Sequence, residues 1–102
     1  MNLGLHGTLE VIEMEAIIND YISKEVVQDP SLLPLANDTS LLETGILDSL
    51  SLLKLVLFVQ ERFGTAVDDV DIVPENFDSV DAICVYLRSR AREGADQAAG
   101  RE

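Results

Sequence analysis

The chain has one cysteine, Cys84, and one histidine, His6, among its 102 residues. A single thiol forms no disulfide within the chain and no thiolate cage for a metal. With His6 as the sole histidine, His-based metal sites and Ser-His or Cys-His nucleophilic machinery are nearly excluded. Cations are scarce as well, with 7 Lys and Arg against 19 Asp and Glu, for a net charge of −12. Nucleic acid and anionic membrane surfaces both require basic clusters, so neither is an expected partner. Partners with basic docking faces suit this charge instead. No uncharged apolar run approaches the roughly 18 residues of a membrane span. Met1–Glu10 has no basic start followed by an apolar stretch, so no signal peptide is expected and the location is cytoplasmic.

What is present is enough for one core: 47% of the residues are hydrophobic, and a chain of this length closes a single domain. Residues 1–7 read as a frayed N-terminus, 8–92 as the domain, and 93–102 as a disordered tail of small polar residues. From Thr8, a candidate cap, to about Gln28, the residues Val11, Met14, Ile17, Ile18, Tyr21, Ile22 and Val26 recur at helical spacing, and Asp29-Pro30 ends the run. Pro30–Thr44 is a long loop pinned to the core by Leu32, Leu35, Leu41 or Leu42. A second helix is predicted over 49–63, with Asp48 as cap and Gly64 as a left-handed stop. Thr65–Pro74 is acidic and irregular, with one short helical turn. A last helix begins near Asp78 or Ser79, either able to cap it, carries Val80, Ile83, Cys84 and Leu87 inward, and reaches about Arg92. The predicted fold is all-α, three long helices plus one short.

The second helix is apolar on two sides. At about 100° per residue, Leu52, Leu55, Val56, Val59 and Phe63 share a core sector. Leu50, Leu53 and Leu57 fall opposite, with Lys54, Gln60, Glu61 and Arg62 between or beside the stripes. A domain with so few helices cannot surround one of them. The second stripe therefore either packs beneath the long loop or forms an exposed docking patch, and docking is the favoured reading. Directly ahead of it, Asp48-Ser49-Leu50 sets a serine at a helix N-terminus, where free N–H groups and the helix dipole favour a phosphate ester. A lone Asp-Ser pair is ordinarily only a cap. Gly45 behind it and the leucine stripe ahead give this one a second meaning.

Leu42-Glu43-Thr44-Gly45-Ile46-Leu47-Asp48-Ser49-Leu50 resembles the attachment segment of acyl and peptidyl carrier proteins. Phe63-Gly64 and Val73-Pro74-Glu75-Asn76-Phe77-Asp78-Ser79-Val80-Asp81-Ala82-Ile83 extend the resemblance. It implies a 4′-phosphopantetheine arm on Ser49, placed there from coenzyme A by a phosphopantetheinyl transferase that uses magnesium of its own. It also implies an acyl or aminoacyl group held as a thioester, a loading ligase, and downstream transferase or synthase enzymes. Docking is assigned to Asp48, Leu50, Leu53, Leu57 and Glu61, and the carrier is expected to be monomeric and non-catalytic. Gly45 lies three residues before Asp48, and Lys54 stands where fatty-acid carriers tend to be acidic. Both features depart from the fatty-acid carrier pattern. Gly45-Ile46-Leu47-Asp48-Ser49 and Pro74-Glu75-Asn76-Phe77 look more like free-standing carriers of specialised metabolism, loaded with amino acids or unusual extender units.

Two other classes were open on sequence. Asp68-Asp69-Val70-Asp71-Ile72-Val73-Pro74 is acidic enough to suggest calcium, but lacks the glycine and later ligands of an EF-hand loop. An unmodified acidic interaction module would use the same Leu50/Leu53/Leu57 patch. Cys84 reads as core, since it shares the apolar face of its helix and has no basic neighbour in the preceding turn. Thiol reagents should therefore label it slowly in the native protein; labelling at the rate of a free peptide thiol would overturn that.

Overall fold

The computed structural model describes the backbone of residues 3–100 and the side chains of residues 10–91. It is helical, with no strand among the described residues. Helix α1 spans Leu3–Tyr21 and continues into a π-helical turn, Ile22–Val26. The Val27 N–H bonds the Ile22 carbonyl at 2.9 Å, the i→i+5 pattern of that turn. Ile22 and Val26 are both buried. A 3₁₀ turn, Pro30–Leu32, follows, then a loop, helix α2 (Ser49–Phe63), a second 3₁₀ turn (Asp69–Asp71), the short α3 (Pro74–Phe77) and α4 (Val80–Gly100). Three long helices and one short one match the predicted class.

The helix ends differ from those read in the sequence. Thr8 lies inside α1 rather than capping it, and the backbone is helical from Leu3 and as far as Gly100. Residues 1, 2, 101 and 102 of the expected frayed start and tail lie outside the described residues. Ala91, Ala95, Ala98 and Ala99 are strong helix formers, which favours continuation beyond Arg92 despite Gly94. At the other end of α1 the chain leaves the helix at Val27, already extended, ahead of the restriction that Asp29-Pro30 imposes.

Ile18, Ile22, Leu41, Leu55, Val59, Phe77, Val80, Ile83 and Leu87 form the fully buried centre. Of the candidate loop pins, Leu35 and Leu41 are buried, Leu32 is half-buried and Leu42 is exposed. Ile46 and Leu47, just before α2, are buried too. They were not read as core because they sit in the segment singled out for its serine. Polar side chains then fix the loop at both ends. Asn19 of α1 donates to the Leu35 carbonyl and to Asn37 Oδ1, each at 2.8 Å. Asp78 accepts from the Ser40 hydroxyl (2.8 Å) and the Leu42 N–H (3.1 Å), and its carbonyl accepts from Leu41 N–H (2.6 Å). Asp78 is thereby engaged with the loop, and Ser79 takes the capping role on α4, its hydroxyl accepting from Ala82 N–H at 3.0 Å.

Cys84 is buried with Val80, Ile83 and Leu87. Burial pushes its thiol up to about 12, with Glu15 and Asp81 adding to the shift and Arg88 opposing it. Glu15 and Asp81 share a hydrogen bond between α1 and α4, which holds the Glu15 carboxyl above the usual carboxylate range.

On α2, Leu55, Val56 and Val59 are buried, while Leu52 and Phe63 are only partly so. Leu55→Ala should cost about 2–5 kcal/mol, whereas Leu53→Ala and Leu57→Ala should stay within about 0.5 kcal/mol. Thermal melting of the three variants checks this, and equal losses would return the outer stripe to the core. The Asp48 cap gives a pH signature. Its carboxyl is lowered by the Ser51 N–H it accepts and by the Ser51 hydroxyl, so its stabilisation is complete above the ordinary aspartate value of about 3.9 and fades as pH falls through the lowered one. The gap in Tm between wild type and Asp48→Ala should be full at pH 7 and close in strong acid.

Candidate functional site

The segment leading into α2 is built as a chain of local constraints. The Thr44 hydroxyl donates to the Ser40 carbonyl at 2.8 Å, and the Gly45 N–H bonds the Leu42 carbonyl at 3.1 Å. Gly45 sits at φ +78°, left-handed backbone that glycine adopts without penalty. The chain then reverses, Leu47 N–H bonding the Leu41 carbonyl at 2.9 Å, while Ile46 and Leu47 drive into the core. Asp48 follows in extended conformation, and α2 starts at Ser49.

Two neighbouring polar residues divide the work at this helix start. Asp48 is the cap: its Oδ1 accepts the Ser51 N–H at 2.8 Å, and its carbonyl accepts from Leu52 N–H. Ser49 is exposed and its hydroxyl has no hydrogen-bond partner among the described residues. A capping serine would have spent its oxygen on the backbone; this one has not. Its position in the first turn places the positive end of α2 beside it, where an ester phosphate is stabilised. The exposed hydroxyl at the start of α2 fits a covalently attached phosphate ester. The nearby recess bounded by Val26, Leu32, Thr44, Ile46 and Ser51 holds about 230 Å³, smaller than an ordinary small-molecule site.

The outer stripe of α2 is exposed at all three positions: Leu50 at 63%, Leu53 at 55% and Leu57 at 60%. The long loop does not cover it. Glu61 is exposed one turn beyond Leu57, and Asp48 is exposed at the helix start, so all five residues assigned to docking lie on the surface around Ser49 and along α2. One side of this helix escaped sequence reading. Phe58 stacks on Tyr21 of α1 at 4.0 Å between ring centroids, nearly parallel, which closes the flank between α1 and α2. Its helical offset from the core sector gave no sign of that partner.

Two of the three aspartates after α2 have partners within the fold. Asp71 accepts the Tyr86 hydroxyl at 2.8 Å, and Asp68 pairs with Arg90 at 3.6 Å. Among the described residues, no three His, Cys, Asp or Glu side chains come together where they could hold a metal ion. No helix among them is long and apolar enough to cross a membrane.

A family model described as the phosphopantetheine attachment site matches residues 24–87. No curated protein matches the chain. The matched span covers more than half of the sequence and runs from the π-helical turn after α1 through the loop and α2 into α4, so it takes in the turn before Ser49 and its anchor at Asp78 but not Asn19. The chain belongs to the phosphopantetheine-attachment family of acyl and peptidyl carrier proteins, whose members bear a covalent 4′-phosphopantetheine.

Proposed function

We propose that Ser49 is the attachment residue and that the domain, residues 8–92, carries an acyl or aminoacyl group on the arm and delivers it to partner enzymes. The observation that carries this is the exposed, uncommitted Ser49 hydroxyl beside a neighbour, Asp48, that caps α2 in its place. The arm, once bound, supplies a thiol that holds the cargo as a thioester. The chain's own residues supply the rest. Gly45, Ile46 and Leu47 fix the turn, Asp48 holds the first turn of α2 closed, and Ser49 presents its oxygen to a phosphopantetheinyl transferase.

Asp48 keeps its carboxylate on the Ser51 N–H, which leaves the ester phosphate at Ser49 to the dipole and to solvent. Leu50, Leu53 and Leu57, with Asp48 and Glu61 at the two ends, form the surface that enzymes grip. Those enzymes are a transferase that adds the arm, a ligase that loads it, and downstream transferase or synthase partners. The resemblance of Gly45-Ile46-Leu47-Asp48-Ser49 and Pro74-Glu75-Asn76-Phe77 to free-standing carriers of specialised metabolism supports that subtype, and a monomer working in the cytoplasm completes the reading. The chain contributes no catalytic group; a rigid address and a tether that raises local concentration are its part in the chemistry.

Intact mass after incubation with coenzyme A and a transferase tests the assignment. Wild type should gain one arm and Ser49→Ala none, with the variant's stability changed by about 1 kcal/mol or less. Ser51 lies about 200° around the helix from Ser49, so one transferase site cannot serve both. An arm found on Ser51 in the Ser49→Ala variant would sink the proposal.

A further inference from the structure

The charge of α2 runs against that of the chain. The molecule carries −12 overall, yet this helix holds two cations, Lys54 and Arg62, against one anion, Glu61. Arg62 lies to the side, over the Phe63 ring at 5.7 Å. Lys54 flanks the leucine stripe: on the helix it falls about 40° from Leu50 and about 60° from Leu57, on the side away from Leu53. It is exposed and has no ion pair among the described residues. Glu61, on the same row, is about 10 Å further along the axis, too far to neutralise it.

Any surface that covers Leu50, Leu53 and Leu57 must also meet Lys54. The lysine stem can lie along the leucines while its ammonium reaches the edge of the contact. There it needs an acceptor, because a cation stripped of water and left unpaired is costly. The acidic remainder of the molecule draws basic enzymes from a distance, but that attraction is general and is screened within about 10 Å at ordinary salt. Discrimination at contact falls to the charges beside the leucines, and Lys54 is the cation nearest Leu50.

We propose that Lys54 is the specificity-determining charge of this face, selecting enzymes whose docking recess is apolar with a carboxylate at its rim and rejecting those whose carrier-binding rim is basic. The inference rests on the docking role given to α2 above. A like charge set opposite Lys54 penalises the wrong enzyme, and a carboxylate there rewards the right one.

The probe is a phosphopantetheinyl transferase with an arginine-lined carrier-binding rim, used beside a variant of it whose rim arginines are changed to glutamate. The readout is kcat/KM for arm addition from coenzyme A. With the arginine rim, Lys54→Glu should raise the value by about tenfold or more, and Lys54→Gln by less. Raising salt from about 0.05 to 0.5 M should shrink the gain. With the glutamate rim the order should reverse, wild type exceeding Lys54→Glu. Equal effects of Lys54→Glu with both rims, or changes within about twofold, would overturn the proposal. Leu57→Ala separates the two levels. If it slows arm addition while Lys54→Glu does nothing, only the charge assignment fails; if Leu57→Ala is also without effect, docking on α2 fails with it.

Discussion

The three bonds that Asp78 makes to the loop hold the functional end of the molecule in place. Its carboxylate binds the Ser40 hydroxyl and the Leu42 N–H, and its carbonyl binds the Leu41 N–H. That fastens the loop to the start of α4 only a few residues before Gly45, so the turn into α2 begins from a fixed point. Leu41 is then fully buried, its backbone carbonyl accepts Leu47 N–H, and the next residue, Asp48, arrives where it can cap α2. Asn19 does a similar service for Leu35 and Asn37 from the side of α1. A 22-residue connection without regular structure of its own beyond one 3₁₀ turn would otherwise be a poor support for a precisely presented hydroxyl.

Much of this was legible in the sequence because it rests on periodicity and local geometry. The apolar spacing over 49–63 placed α2, Asp48 and Gly64 marked its ends, and Val80, Ile83, Cys84 and Leu87 gave the inner face of α4. The two-sided leucine pattern of α2 was legible too, since few helices cannot bury both sides. The role of Asp78 was not. An aspartate ahead of a helix reads as a cap, and only the fold brings Ser40 and Leu42, nearly forty residues earlier, within its reach. Tyr21 and Phe58 likewise belong to separate helices, and their stacking has no local signal. Ile46 and Leu47 were hidden by the motif around them, although a buried pair just before the serine is what makes its position rigid.

The distribution of charge follows from the same architecture. Most carboxylates sit on α1, on the loops and around α3, while the exposed row of α2 is three leucines flanked by Lys54 and Glu61. Long-range attraction and close-range fit are thus assigned to different parts of the surface. An acidic bulk attracts positively charged molecules at long range, whereas an apolar row gains only from a surface that covers it.

The burial of Cys84 has a bearing on what kind of cargo chemistry this domain can tolerate. A thioester passes readily to any accessible thiolate, and a carrier with a reactive cysteine near its arm would acylate itself. Here the one cysteine of the chain is enclosed between α1 and α4 and held protonated at physiological pH. In the arm-bearing protein the pantetheine thiol therefore meets no accessible cysteine of its own chain, neither as an acceptor for a thioester nor as a disulfide partner.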